Sequence, residues 1–256
     1  SVGKRRQRER VLEVLGREVM RLLLLLLSFG LYADNEIYID QTGNNVAIDI
    51  EQLGSNNIIG GDDAAAGSMT KAILNGGTWT FDINQIGSSN KFLTDGIIGE
   101  NFTGFFEFDG DSNTFEFSMD TTGLNTVDFA NINVDVTGSS NVFDWDIGED
   151  AGASYLDLDL ILDGDSNDLT FDIDSDYYTA YMDILGDSNT MELTKTGYGD
   201  SSSDAGYFYL DLNGSTNTIE IQQKSTLALD WLKIESDASN SNICVIQSDG
   251  GTSTSC

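Results

Sequence analysis

Proline and histidine are both absent from the 256 residues, cysteine occurs only twice, and arginine does not recur after Arg21. A chain of ordinary composition carries about 5 % proline, so its absence points to backbone that pairs along its length without a missing donor. Without histidine the commonest general base, the Ser-His and Cys-His nucleophile pairs and the usual zinc ligand are gone. Positive charge is scarce as well: Lys+Arg total 12 against Asp+Glu 43, a formal net charge of −31.

Most of that positive charge sits at the start. Lys4, Arg5, Arg6, Arg8 and Arg10 precede Met20-Arg21, an apolar run from Leu22 to Leu27, and Ser28-Phe29-Gly30-Leu31-Tyr32-Ala33. A basic start, a short apolar stretch and a small residue to cut after describe a secretory signal peptide. The run is shorter than the roughly 20 apolar residues of a membrane span. The expected organisation is therefore 1–19 as an upstream extension or overlong basic n-region, 20–33 as the signal peptide, and an exported chain from Asp34. Residues 34–256 hold five lysines against forty acids, net −35. Nucleic acid is excluded as a partner because phosphate contacts need cations, and bidentate anion recognition is excluded without arginine.

A short turn recurs as Gly-x-x-Asn: Gly54 to Asn57, Gly87 to Asn90, Gly110 to Asn113, Gly138 to Asn141, Gly164 to Asn167, Gly186 to Asn189 and Gly214 to Asn217. Successive glycines lie 33, 23, 28, 26, 22 and 28 residues apart. Ser239 to Asn242 reads as a degenerate copy, and Gly43 and Gly123 as shortened ones. Between the turns apolar residues alternate with polar ones, the strand period. Leu156, Leu158, Leu160 and Leu162 face one way before Gly164, and Leu169, Phe171 and Ile173 do so after it. Glycine is expected at the left-handed position of each turn and asparagine on the local backbone. A strand-turn-strand unit cannot bury its apolar face alone, so copies must stack. The fold class expected is all-β: a β-solenoid of about seven or eight rungs, with parallel strands in two facing sheets. It spans 34–236, with 237–256 as a capping rung. A β-sandwich is the competing architecture, but it has no reason to keep one turn at one offset from the apolar positions.

The segment Gln52-Leu53-Gly54-Ser55-Asn56-Asn57 and the segment Gln85-Ile86-Gly87-Ser88-Ser89-Asn90 resemble the curlin repeat of the curli amyloid subunits, and Gln41-Thr42-Gly43-Asn44-Asn45 does so with one residue missing. The resemblance implies a secreted functional amyloid, built of strand-loop-strand rungs that stack end to end into an extracellular fibre of the biofilm or adhesion kind. The chain departs from the pattern after Gly110, where Phe108, Val136, Leu162, Ile184 and Leu212 replace the inward glutamine.

Toward the C-terminus Trp231-Leu232-Lys233-Ile234 reads as a break in alternation and Cys244 as an inward position. Two cysteines in an exported chain favour a disulfide between Cys244 and Cys256, worth about 3 kcal/mol by loop closure. Stacking also predicts two acidic ladders. One is Glu107, Asp135, Asp183 and Asp211; the other is Glu116, Asp144, Glu192 and Glu220. Like charges opposite one another destabilise a sheet, so the ladders are either a solvated face or Ca2+ ligands, the one cofactor considered; neither calcium-loop motif is present. Phe105, Tyr181, Tyr207 and Tyr209 share outward positions, where they serve lateral packing or a surface glycan.

No enzyme is expected, since the carboxylates follow from alternation and single out no pair, and Lys71, Lys91, Lys195, Lys224 and Lys233 are scattered. The reading is a secreted, extracellular or cell-surface homopolymer without stable membrane insertion. Its alternatives are a monomeric adhesin or glycan-binding rod contacting a host-surface receptor, and a phage-encoded exported or virion component.

Overall fold

A computed structural model describes residues 36–54, 57–62, 69–70, 72–87, 89–119, 129–148, 153–196, 206–225 and 231–249. The basic N-terminal stretch, the segment read as a signal peptide, Gly123, Lys71 and Cys256 lie outside the described residues. The strands of the first third are β1 (Glu36–Tyr38), β2 (Asp40–Thr42), β3 (Val46–Leu53), β4 (Ile58–Asp62), β5 (Met69–Thr70), β6 (Ala72–Asn75), β7 (Thr78–Ile86) and β8 (Lys91–Ile98). There follow β9 (Asn101–Asp109), β10 (Thr114–Met119), β11 (Phe129–Thr137), β12 (Val142–Ile147), β13 (Ala153–Asp163) and β14 (Asp168–Leu185). The last five are β15 (Thr190–Thr196), β16 (Tyr207–Ser215), β17 (Thr218–Ser225), β18 (Trp231–Ser239) and β19 (Asn242–Asp249). Among the described residues there is no helix.

The fold is a β-solenoid. Sheet II stacks β3, β7, β9, β11, β13, the second half of β14, β16 and β18 in parallel register. Sheet I stacks β8, β10, β12, the first half of β14, β15, β17 and β19, with β1, β2, β4 and β6 forming its N-terminal layers. β14 runs through both sheets. Alternation sends every second side chain inward, so each inward position becomes a column: Phe106, Val134, Leu160, Met182 and Leu210 lie one above the next, all at most 2 % exposed. Burying each such side chain contributes roughly 1.5–3 kcal/mol. The N-terminal half of the core is aromatic, with Phe92, Phe106, Phe115, Phe117 and Trp145 packed ring against ring at 5.1–6.0 Å. Gly104 makes room for it, since a Cβ there would lie 2.4 Å from the Phe106 ring.

The recurring turn is a corner between the sheets, and its chemistry goes beyond the expected one. The left-handed residue is the one before asparagine: Ser89, Ser112, Ser140, Ser166, Ser188 and Thr216 have φ of 60–64°. Glycine is held at positive φ as expected, 131–151° at Gly54, Gly87, Gly110, Gly138, Gly186 and Gly214, and a second reason also requires it. A Cβ on Gly138, Gly164, Gly186 or Gly214 would stand 1.9–2.1 Å from the carbonyl oxygen of the corner glycine in the preceding rung. Asparagine bonds between rungs as well as locally. The backbone N–H of Asn90 donates to Asn113 Oδ1 at 2.9 Å, and Asn113, Asn141, Asn167 and Asn189 each donate to the next asparagine at 2.7–2.9 Å. These asparagines are all buried, and removing a partner from such a buried pair costs about 1–3 kcal/mol.

Two assignments of the repeat change. Gly43 belongs to the opposite corner, where it stacks under Gly76, whose Cβ would lie 1.8 Å from the Gly43 carbonyl oxygen. The last copy is framed one residue earlier than its sequence suggested: Gly214 pairs with Ala238, and the Asn217 N–H donates to Ser241 Oγ at 3.1 Å. Trp231 to Ile234 keep strict alternation, with Trp231 and Lys233 outward and Leu232 and Ile234 continuing the inward columns.

Candidate functional site: the outward face of sheet II

The outward columns of sheet II follow from the same register. One reads Asp49, Asp82, Phe105, Asn133, Asp159, Tyr181, Tyr209, Lys233 from the N-terminal to the C-terminal layer. Phe105 is therefore separated from Tyr181 by two polar residues, and Tyr207 stands in the neighbouring column beneath Trp231. A third column holds Phe129 and Tyr155, whose rings stack at 4.9 Å with 12° between their planes. Neither was singled out from sequence, although both lie nine residues before a corner glycine. Together with Tyr181, Asn131 and Asp157 they line a groove of about 600 Å³ on this face.

No protein-family model, curated protein or solved structure matches the chain.

The acidic ladders form, but each is interrupted. Ile161 separates Asp135 from Asp183, and Thr170 separates Asp144 from Glu192. What remains are the pairs Glu107–Asp135, Asp183–Asp211, Glu116–Asp144 and Glu192–Glu220. Amides attend several: Asn84 Nδ2 donates to Glu107 at 3.1 Å, Asn213 Nδ2 to Asp211 at 3.2 Å and Gln222 Nε2 to Glu220 at 2.7 Å. Among the described residues no three carboxylates or cysteines gather where a metal ion could sit. Cys244 pairs in register with Glu220, so it extends the second ladder on the outward side, contrary to the inward position read from sequence. No free thiol occurs among the described residues.

Burial, then the Asp211 and Asp159 carboxylates, raise Asp183 above the ordinary 3.8. Asp159 is raised by burial and by Asp157; Asp172 is raised by burial, against the pull of Lys224. The folded state holds these protons more tightly than the unfolded chain does, so ionising the three carboxyls costs stability. That cost is complete above the raised values and vanishes as pH falls to 3.8. The melting temperature at low salt is therefore expected to rise as pH is lowered from about 7 to about 4.5, and salt should shrink the difference. Glu235 works in the opposite sense, its pKa lowered by the Lys233 and Tyr209 hydrogen bonds, but it loses that contribution only below its ordinary 4.5. A melting temperature that falls steadily over this interval would contradict the assignment.

Among the described residues one lysine stands on the sheet II face, at its C-terminal edge. Lys233 Nζ lies 2.7 Å from Glu235 and 4.8 Å from the centroid of the Tyr209 ring. The Tyr209 hydroxyl donates to Glu235 at 2.7 Å, which pushes its pKa up to about 12. A second lysine is inside the core. Lys195 is 1 % exposed, sits 4.9 Å from the Tyr178 ring centroid, and shares its column with Gln223 and Gln247, which are joined at 2.6 Å. Gln223 Nε2 donates to the Tyr178 hydroxyl. The parity of Lys195 with Met191 and Leu193 was the available clue to its burial.

Proposed function

We propose that the chain is a secreted structural protein whose solenoids stack end to end into an extracellular fibre. The observation that carries this is the match between the two ends of the ladder. At the N-terminal layer Ile37, Ile48 and Ile50 are only half-buried, and at the C-terminal layer so are Ile243, Leu232 and Ile234. Register assigns them to common columns: Ile48 with Leu232, Ile50 with Ile234, Ile37 with Ile243. A second copy placed on β18 and β19 would continue each apolar column and pair the open strand edges, which otherwise present unpaired N–H and C=O groups. Such a head-to-tail contact does not close on itself and generates a filament.

The test is negative-stain electron microscopy and sedimentation of the full chain over days, under oxidising conditions, with calcium and with chelator. Unbranched filaments as wide as one solenoid are expected. Monomeric particles under every condition would overturn the reading.

A further inference from the structure

We propose that the groove on the sheet II face binds lysine side chains of an extended basic polypeptide. It lies on the flank of the solenoid, away from both ends, so it stands whether or not the ends stack. Its wall offers the stacked Phe129 and Tyr155 rings and also Tyr181. Asp157 supplies a carboxylate, held toward Asn131 Nδ2 at 3.5 Å, and Asp159 follows two residues along the same face. Among the described residues neither lysine nor arginine lines the groove. Aromatic rings beside carboxylates, with no cation among them, form an environment that attracts an ammonium through both ring quadrupole and charge.

The same face shows what such a cation does when one is present. Lys233 lies over Tyr209 and on Glu235 at the end of the column that passes through Asp159 and Tyr181. The aromatic strip continues from the groove, Tyr181 lying 5.7 Å from Tyr207 and 5.9 Å from Tyr209, so it suits a chain better than a single small amine. A second copy of this acidic face would be repelled, and an anionic polymer would find no counter-charge among the described residues of the groove.

The experiment titrates fluorescent hexalysine into the full chain at physiological salt, beside fully Nε-acetylated hexalysine and a glucosamine oligomer. Saturable binding of hexalysine is expected, with loss of binding on acetylation. Tyr155→Ala and Asp157→Asn should each weaken it about tenfold, while Asp168→Asn, on the outward face of sheet I, should change it less than about twofold. Tyr155 is 44 % exposed, and the unchanged melting curve of each variant confirms folding. Equal weakening by all three substitutions would reduce the effect to diffuse charge and overturn the site. Tighter binding of the glucosamine oligomer would overturn it in favour of a sugar ligand, and absence of hexalysine binding would overturn it outright.

Discussion

Gly164→Ala is expected to destabilise the solenoid by roughly 3 kcal/mol or more, the range of changes that force a backbone to move. The added Cβ would stand 1.9 Å from the Gly138 carbonyl oxygen and 2.6 Å from its carbonyl carbon. Neither atom belongs to a side chain that could rotate away. The corner must open, and with it go the Gly164 N–H bond to the Leu185 carbonyl and the Gly138 N–H bond to the Asp163 carbonyl, both 2.9 Å. Two residues along the same turn the sign reverses. Ser166 has φ of 61°, a conformation that costs an L-residue about 1–2 kcal/mol, so Ser166→Gly relieves strain while adding unfolded-chain entropy worth about 0.5–1 kcal/mol. That variant should be neutral or slightly more stable. Urea unfolding of the two variants beside the parent checks both signs, and equal midpoints for Gly164→Ala and the parent would refute the close-approach account.

This contrast also shows where the sequence was legible and where it was not. Alternation is a property of a single strand, so the inward columns through Leu160 or Phe171 could be read directly, and so could the recurrence of one corner. The positive φ of the corner glycines was legible too, but their close approach was not, because what excludes a Cβ at Gly164 is an oxygen in another rung. Gly43 was misplaced for a related reason: both corners of a rung use glycine, and a spacing in sequence does not say which corner it turns. The end of the chain went wrong through a slip of one residue. Ala238 stands where the other rungs have glycine and Ser241 where they have asparagine, so the motif matches Asn242 one residue late, and with a period of two such a slip turns every side chain to the other face. Cys244 was accordingly read inward. Phe129 and Tyr155 are hard to align from the preceding turn because their distances from it are unequal, although counting back nine residues from Gly138 and Gly164 aligns them. The acidic ladders look continuous when acids alone are compared, but the rung around Gly164 carries Ile161 and Thr170 at those offsets.

Reversing either charge at the proposed joint is expected to slow fibre growth at least tenfold, about 1.4 kcal/mol at the growing end. The column that begins at Asp49 ends at Lys233, so continuing the stack brings Asp49 of the next copy to about one strand spacing, ~4.8 Å, from Lys233. The neighbouring column would place Glu51 on Glu235, a like-charge contact that Lys233, 2.7 Å from Glu235, partly neutralises. Lys233→Asp removes that neutralisation and adds a fourth acid to the joint, beside Asp49, Glu51 and Glu235. Asp49→Lys sets two lysines opposite each other. Asp49 is exposed and the Lys233 side chain about half so, so neither change should disturb the solenoid itself. The double variant Asp49→Lys with Lys233→Asp restores the opposite-charge contact and should recover most of the growth rate, whereas two independently harmful changes would compound. Both single deficits should shrink as salt is raised, because the joint's rim is open to solvent. Fibres that grow normally in both single variants would leave the solenoid as a fibre subunit but refute this register. Ile50→Asp buries a charge against Ile234 in the same register and should stop growth altogether; if it does so while the charge reversals have no effect, the ends meet through their apolar columns in another alignment.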